Sequence, residues 1–360
     1  MTESSKIVRL FLCFALLAQS IFPFETDQFN LPPKPLGDIG DEVSDYTEEN
    51  VRAATVKLNF EIRARLACLE NPANKTSSEN KSKNIKCGSP DAERARLDYL
   101  RSDEAAARAV FKLLGDGIVP FTKSGTWLET HRFKAQPARY KTGYGKSIYA
   151  VVPTNYFTIS PTVKLYGVEF GTDKIAHFFQ QGYDYYKIYN RSLAGGATPA
   201  EAVTKAVRWG QMTERTYFGT LVSGVYSNAD LCANLVGLKF YQGLTREIEI
   251  GGETRPAILI VKDGFWSVNE NADLRRILIK PFLTAHLSEA LNPSIYVKAL
   301  RSFVRKTVRK RACAQWRARF PKYSQADFAR ISSDLSEWNG WDYGFKSSEN
   351  FVTIASVCFD

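Results

Sequence analysis

The chain has 360 residues, of which 44% are apolar and 13% aromatic, enough to build a substantial buried core. This composition excludes a generally disordered chain, and the length allows one large domain or two modest ones. The formal charge of +10 is concentrated between Ser294 and Pro321, where nine basic residues occur without an acid, so the rest of the chain is close to neutral.

The N-terminus has the layout of an export signal. Lys6 and Arg9 form a short basic region, an apolar run follows over residues 10–17, and Ala18-Gln19-Ser20 supplies small residues for cleavage. The pattern predicts a signal peptide over residues 1–20, cleaved near Ser20, and hence an extracytoplasmic protein, either periplasmic or secreted. An uncleaved membrane anchor is the alternative. No later stretch reaches the roughly 18 apolar residues of a membrane span.

Five cysteines follow the signal, and an exported protein can retain disulfides. Cys68 and Cys87 bracket a polar loop and are expected to close it, which would contribute about 3 kcal/mol. Cys313 and Cys358 form the next expected pair. Cys232 would then be free, and because nothing adjacent in sequence would activate it, a small buried thiol is favoured over a catalytic one.

The rest of the chain indicates a helix-dominated α+β fold. Pro-rich residues 21–40 are typical of a linker, and helical periodicity over 41–69 and 89–114 predicts an antiparallel helical hairpin spanning 41–117. A mixed core is expected over 118–270, and a C-terminal helical region over 271–360.

Within the mixed core, aromatic and β-branched runs predict short strands, and glycine pairs predict turns. The runs cover 147–152, 156–160 and 163–170, and a β-hairpin is expected around Gly251-Gly252 between 246–250 and 257–261. Thr198-Pro199-Ala200-Glu201 has the pattern of a capping box and predicts a helix that ends near Phe218.

Candidate site residues begin with Asp173 and His177, one of only three histidines in the chain. On a helix over 172–190 they would lie one turn apart in a polar stripe with Gln180 and Asp184, where a carboxylate could orient an imidazole or both could hold a metal. The alternative is a stripe that faces water, with Asp173 complementing the helix N-terminus.

Glu214 continues the apolar face of the helix that begins at Thr198, in line with Val203, Val207 and Gly210. A carboxylate there must be paired, protonated or bound to something. Burial would raise its pKa and suit it to proton transfer near neutral pH. The alternative is a structural salt bridge to a nearby lysine or arginine, for which Lys174, Arg208 and Arg215 are available.

Asp230 and Asn234 lie four residues apart on a third predicted helix, and Gly237 at the next turn would allow close approach of another backbone. Ser227 and Asp230 have the spacing of a capping box, so Asp230 has two interpretations, a site residue or a helix cap. Capping does not explain Asn234 on an otherwise small and apolar surface.

His286 and Glu289 form a second candidate cluster. Three residues apart, they could act as an acid/base or metal-ligand pair if this segment is helical. The alternative is an ordinary polar pair at a helix end.

The order Asp-Lys-x-x-His-Phe, helical Glu, Asp-x-x-Ala-Asn-x-x-Gly resembles a signature of VanZ-like proteins and YfiM-like lipoproteins. The matching positions are Asp173, Lys174, His177, Phe178, Glu214, Asp230, Ala233, Asn234 and Gly237. The resemblance covers about 65 residues and departs from VanZ-like proteins, which span the membrane several times, because these helices are too polar to span. It implies that the polar residues act together in an envelope-associated protein, and it supplies no reaction.

The basic segment over 294–321 predicts an amphipathic helix. Its apolar side is formed by Ile295, Leu300, Phe303, Val304, Val308, Ala312, Trp316 and Phe320. The basic side is either a solvated face or a contact surface for an anionic membrane or envelope polymer. Export argues against nucleic acid as the partner.

Two functional hypotheses follow from the polar residues. In the first, an extracytoplasmic hydrolase acts on an anionic envelope component: His177 serves as base or metal ligand oriented by Asp173, Glu214 and Asp230 serve as acids or ligands of a divalent metal, and Asn234 polarises the substrate. In the second, the same residues form a non-catalytic buried network that fixes helix packing in an envelope structural or binding protein.

Overall fold

The computed structural model describes residues 25–70, 76–77, 85–118, 121–151, 159–216, 218–221 and 223–359. The predicted signal peptide, residues 1–20, lies outside these ranges. Within them the protein has a helix-dominated α+β fold with short sheets, as the sequence predicts. No helix in the described ranges is both long enough and apolar enough to cross a membrane.

The α-helices, numbered in chain order, are interrupted once by a π-helical turn over His177–Gln181. They are α1 Gly40–Glu70, α2 Pro90–Leu100, α3 Asp103–Leu114, α4 Lys123–Thr130, α5 Asp173–Ala176, α6 Gly182–Ala194, α7 Pro199–Arg215, α8 Asn228–Gly243, α9 Leu274–Ile277, α10 Lys298–Arg311, α11 Cys313–Arg319, α12 Gln325–Asp334 and α13 Ile354–Cys358. Short 3₁₀ turns lie at Tyr144–Lys146, Lys280–Phe282 and Ala285–Leu287.

The strands are short and pair mostly with a neighbour in the sequence. They are β1 Glu25–Thr26, β2 Thr76–Ser77, β3 Ile85–Lys86, β4 Gly117–Ile118, β5 Phe121–Thr122, β6 Ile159–Ser160, β7 Thr162–Leu165, β8 Val168–Gly171, β9 Val225–Ser227, β10 Ile248–Ile250, β11 Glu253–Arg255, β12 Leu259–Lys262, β13 Phe265–Val268, β14 Ser294–Tyr296 and β15 Phe351–Val352. Two pairings join distant segments: β1 runs parallel to β6, and β14 lies between β9 and β15.

The N-terminal helices pack as a hairpin, with α1 against α2 and α3. The second predicted helix is broken in two, because Ser102 caps α3 by accepting a hydrogen bond from the Ala105 backbone amide. A disulfide between Cys68 and Cys87 closes the loop that joins the arms, as predicted.

The segment expected to be a linker is buried from Glu25 to Leu31, so the prediction of a linker over residues 21–40 is wrong for this part. Its β1 residues pair with β6, and the Phe29 carbonyl accepts a hydrogen bond of 2.8 Å from Trp316 Nε1. Pro-rich composition concealed these contacts because they are made to residues distant in sequence.

The predicted strands needed several corrections. Residues 147–151 lie in turns rather than in a strand, and the 163–170 run folds into the β7–β8 hairpin, which turns at Tyr166 and Gly167 with φ of 47° and 85°. The turn at Gly251-Gly252 exists, but β10 pairs there with the immediately following β11. The strand expected as its partner, β12, pairs instead with β13.

The central helices α6, α7 and α8 form the helical core around the site. Gly182 and Gly237 meet where the helices cross: a Cβ added at Gly237 would lie 2.1 Å from the carbonyl oxygen of Phe178. The close backbone approach expected at Gly237 is therefore present. The capping box at Thr198 also forms, and the helix that it starts ends at Arg215.

The C-terminal region packs the apolar side of α10 and α11 into a second hydrophobic cluster, with Phe29 and the residues of α13. The predicted apolar side is buried at Leu300, Val304 and Val308. The helix begins only at Lys298, because Ser294–Tyr296 forms the central strand β14. A second disulfide, Cys313–Cys358, joins α11 to α13, as predicted.

Candidate functional site

Lys174 lies at the centre of a buried polar cluster. Its Nζ atom is 2.7 Å from Asp173 Oδ2, 2.5 Å from Asp230 Oδ1 and 2.5 Å from Glu289 Oε1. The side chains of Lys174, Asp173 and Glu289 are fully enclosed, and that of Asp230 is 3% exposed. The ammonium group therefore lies among three carboxylates and donates a hydrogen bond to Asp173.

Asp173 belongs to this cluster through Lys174 and not through His177. One of its carboxylate oxygens contacts Lys174, and the other accepts a hydrogen bond of 2.7 Å from Thr26 Oγ1. The prediction that Asp173 orients the His177 imidazole is therefore wrong. The predicted water-facing stripe also fails, because Asp173 and His177 are buried while Asp184 pairs with Lys187 at the surface.

His177 is held by Asn234. The imidazole Nδ1 lies 3.0 Å from Asn234 Oδ1, and Nε2 lies 3.6 Å from Asp230 Oδ2. Because an amide oxygen only accepts, Nδ1 is the donor to Asn234 Oδ1, and Nε2 faces the Asp230 carboxylate. The Asn234 side chain thus orients the His177 ring, rather than serving as the polarising donor that the sequence suggested.

Glu214 is buried on the apolar face of α7, as predicted, with 1% of its surface exposed. Its Oε2 atom accepts a hydrogen bond of 3.2 Å from the Ser227 backbone amide, whereas Oε1 has no hydrogen-bond partner. Among the described residues Glu214 forms no salt bridge, so the alternative interpretation as an ion-paired carboxylate is not realised.

The start of α8 explains how Asp230 becomes available to the site. Ser227 caps the helix by accepting a hydrogen bond of 3.1 Å from the Asp230 backbone amide. The reciprocal partner of a capping box would be the Asp230 carboxylate bonded to the Ser227 amide, but Glu214 takes that role. The Asp230 carboxylate is thereby free to reach Lys174 and His177, so capping accounts for its backbone and not for its side chain.

The second predicted cluster separates in the structure. The 3₁₀ turn ends at Leu287, so Glu289 turns into the core and His286 does not follow it. Glu289 accepts hydrogen bonds from Ser227 Oγ at 2.7 Å and Ser294 Oγ at 2.8 Å. His286 bonds to Thr284 and to the Glu337 carbonyl, and burial lowers its pKa.

Glu25 is the site residue that sequence reasoning missed. It lies in the presumed linker, is 2% exposed, and leaves Oε2 without a hydrogen-bond partner. Nothing in its local pattern marks it, because it reaches the cluster through the parallel pairing of β1 with β6. The sequence marks Lys174 as a position of the motif, but nothing about a lysine in this sequence indicates that its side chain is buried.

The cluster contains more acid than base. Glu25, Asp173, Glu214, Asp230 and Glu289 surround one ammonium and one imidazole. Burial, together with the neighbouring Asp230 carboxylate, raises the pKa of Glu25 and of Glu214 well above the ordinary range. Burial also raises the pKa of Glu289, against the opposing effect of Lys174.

Lys174 stays charged in this environment. Burial by itself would favour the neutral amine, but the carboxylates of Asp173, Asp230 and Glu289 outweigh it and raise the Lys174 pKa well above its usual value. The excess of acid must therefore be balanced by protons on the glutamates or by a bound cation.

Two overlapping sets of side chains have the spacing of metal ligands. His177, Glu214 and Asp230 each offer one donor atom within 4.8 Å of the others, and Glu25, Asp230 and Glu289 do the same. Ligands of a tetrahedral zinc ion are separated by about 3.4 Å, so donor atoms at the upper limit of 4.8 Å would move together by about 1.4 Å on binding. Lys174 contacts two members of the second set, Asp230 and Glu289, but only Asp230 in the first set. Cys232 is buried, unpaired and outside both sets.

Comparison with known proteins finds no matching family model, no matching curated protein and no matching solved structure. The resemblance to VanZ-like proteins therefore stays a prediction, and function has to be argued from the site.

Proposed function

We propose that the protein is an exported metalloprotein in which His177, Glu214 and Asp230 bind a divalent transition-metal ion. The observation that carries this proposal is the Oε1 atom of Glu214, which is buried without a hydrogen-bond partner among the described residues, on a side chain that offers a donor atom within 4.8 Å of donor atoms of His177 and Asp230. An uncompensated carboxylate at this depth is costly unless a proton or cation accompanies it. One imidazole nitrogen and two carboxylate oxygens suit zinc or manganese.

The contacts around these three residues are those expected of a metal site. Metal-bound histidines commonly donate their second ring nitrogen to a fixed acceptor, which here is Asn234 at 3.0 Å. Glu214 is oriented by the Ser227 amide, and Asp230 by the ammonium of Lys174. Each ligand is thus held by a further polar group before any ion binds.

The reaction class that this donor set fits best is hydrolysis. Three protein ligands leave a coordination position open, as in catalytic zinc sites, whereas structural sites use four. A bound ion would lower the pKa of a water at that position. Among the ligands, His177 keeps the largest accessible fraction of its side chain, 7%, so approach of water or substrate is expected along its edge.

The proposed substrate class is an anionic component of the cell envelope. Export is supported by the signal-like N-terminus and the two disulfides. Of the nine basic residues over 294–321, four arginines donate to backbone carbonyls of neighbouring segments: Arg305, Arg311, Arg317 and Arg319. Of the remaining five, Arg301 is half-buried; we call the four exposed ones, Lys298, Lys306, Arg309 and Lys310, the basic face, and its members form no ion pair with any residue that the structure describes.

A second candidate function is a structural network without metal. It is favoured by one observation, the near-complete enclosure of Lys174 and its three carboxylates, which join α5, α8 and the segment before β14. In that case protons on Glu25 and Glu214 would balance the charge, and the cluster would act by fixing how these elements pack.

Metal analysis separates the two functions. The purified protein is incubated with Zn²⁺ or Mn²⁺, desalted and analysed by inductively coupled plasma mass spectrometry, beside His177→Ala and Glu214→Gln. We expect about one ion per wild-type chain and a loss of roughly tenfold or more in both variants. Asp184→Asn is the matched control, because Asp184 lies on the adjoining helix but pairs only with Lys187 at the surface.

A folded wild-type protein that retains no ion would overturn the metal site. If, in addition, both site variants melted far below the wild type, the structural network would be the better account.

A further inference from the structure

Lys174 lies against the second set of potential metal ligands. The ammonium contacts Asp230 and Glu289 at 2.5 Å each, and these are two of the three residues in that set. The third, Glu25, has its Oε2 atom buried without a hydrogen-bond partner among the described residues. The second set is thus complete as a ligand group, but a side-chain cation already lies against it.

Two buried tyrosines lie near Glu25. The phenols of Tyr149 and Tyr296 are enclosed there and interact with each other through their hydroxyl groups. Both tyrosines lie close enough to Glu25 and Glu289 for the carboxylates to raise the pKa of each phenol, in addition to the larger effect of burial. The second set itself, Glu25, Asp230 and Glu289, offers carboxylate oxygens, and oxygen is the donor that hard divalent cations prefer.

Asp230 links the two halves of the cluster. Its Oδ1 atom faces Lys174 at 2.5 Å, and its Oδ2 atom faces His177 Nε2 at 3.6 Å. A carboxylate that bridges two cations about 3.5–4 Å apart is the arrangement found in two-metal sites. Here one of the two cations is an ammonium group fixed to the chain.

We propose that Lys174 is the built-in second cation of this centre: it excludes a metal ion from Glu25, Asp230 and Glu289, and it turns Asp230 Oδ2 toward His177. Lys174 is therefore a positioning residue, and the centre holds a single metal. The part that concerns the first ion rests on the proposed function, whereas the exclusion of an ion from the second set does not.

The test is to remove the ammonium and count the ions. Lys174→Met keeps an unbranched side chain without charge, and Lys187→Met removes an exposed lysine from the same helical stretch as the control. Each protein is titrated with Mn²⁺ by equilibrium dialysis, and the bound ions are examined by electron paramagnetic resonance. We expect Lys174→Met to bind about one ion more than the wild type, and its spectrum to show spin coupling between close ions. A merely structural role for Lys174 would produce neither effect.

A second variant keeps the test decisive. In Lys174→Met combined with Glu25→Gln, the second set loses a ligand and the buried charge is reduced, so the extra ion should disappear while the protein stays folded. Equal Mn²⁺ stoichiometry in the wild type and Lys174→Met overturns the inference. So does a Lys174→Met chain that stays unfolded at every Mn²⁺ concentration, because the metal would then not replace the ammonium. If the wild-type protein binds no metal, only the proposed function is refuted. The exclusion of an ion by Lys174 would still be supported by a gain of one ion in Lys174→Met.

Discussion

Replacing Asp230 by asparagine distinguishes a metal site from a structural network. A metal site predicts loss of the metal-dependent rise in Tm, whereas a structural network predicts a large loss of stability without metal. Asparagine keeps the shape of the side chain and can still accept a hydrogen bond from Lys174, whose ammonium also retains Asp173 and Glu289 at 2.7 and 2.5 Å. The substitution removes the one carboxylate that faces both Lys174 and His177.

The expected cost to the metal-free protein is small. Breaking an isolated buried ion pair costs about 3–5 kcal/mol, but here Lys174 keeps two carboxylates. Removing Asp230 also relieves repulsion, since its charge contributes to the raised pKa of both Glu25 and Glu214. We therefore expect the free energy of unfolding without metal to fall by less than about 2 kcal/mol, the range of one charge-assisted hydrogen bond.

Metal binding should differ much more. An ion present at about 100 times its dissociation constant stabilises the native state by about 2.7 kcal/mol, which corresponds to a rise in Tm of about 4 °C for a chain of this size. Calorimetric melts of the wild type and Asp230→Asn, with chelator and with Zn²⁺, measure both quantities. We expect the rise in the wild type and none in the variant.

A full metal-dependent rise in Tm in Asp230→Asn would show that Asp230 is not a metal ligand. A loss of about 3–5 kcal/mol without metal, together with no effect of Zn²⁺ on the wild type, would show a structural salt bridge instead.

Three further predictions concern packing, pH and the surface. Gly237→Ala should destabilise the protein by about 3 kcal/mol or more in urea unfolding, because the new Cβ would lie 2.1 Å from a backbone carbonyl oxygen, whereas Gly143→Ala, which meets nothing within 4 Å, should have little effect. A raised native pKa means that Glu214 contributes stability below its ordinary value of 4.5 and loses it as pH rises, so the metal-free protein should weaken from pH 4.5 upward. In Glu214→Gln that decline should be smaller, and an unchanged slope would contradict the assignment. Changing the three lysines of the basic face to glutamine should reduce co-sedimentation with anionic vesicles several-fold without lowering Tm, while equal loss on neutral vesicles would count against an electrostatic contact.

Local signals predicted the local features of the fold. The capping box at Thr198 and the proline at the start of α7 depend on residues adjacent in sequence, and both are found. The cysteine pairs follow from loop length and element order, and they also form. The β12–β13 pairing was missed because the sequence analysis used only the turn at Gly251-Gly252, whereas a second turn at Asp263-Gly264, with φ of 52° and 81°, joins β12 to β13, and β13 packs against α1.

The site was only partly predictable, because some of its residues reach it through contacts between segments that are distant in sequence. Glu214 could be identified because a carboxylate on an apolar helix face breaks the expected pattern. His177 was placed on a regular helix, but the π-turn that starts there changes which residues face the core. Glu25 carries no local signal, and its role depends on a parallel strand pair across more than a hundred residues of sequence.

In the proposed metal centre, the origin of the ligands couples metal binding to folding. His177 comes from the π-turn, Glu214 from the end of α7 and Asp230 from the first turn of α8, so the three donors meet only when these elements have packed together, with α6 and α8 crossing at Gly182 and Gly237. An unfolded chain offers no comparable arrangement, and binding free energy therefore adds directly to folding free energy. A hydrogen bond at the start of α8 adds to this coupling. Glu214 accepts it from the Ser227 amide, a role that the Asp230 carboxylate would otherwise take, so Asp230 is free to bind the ion. Loss of that cap would both weaken α8 and misplace two of the three ligands, so helix formation and assembly of the centre depend on the same hydrogen bond.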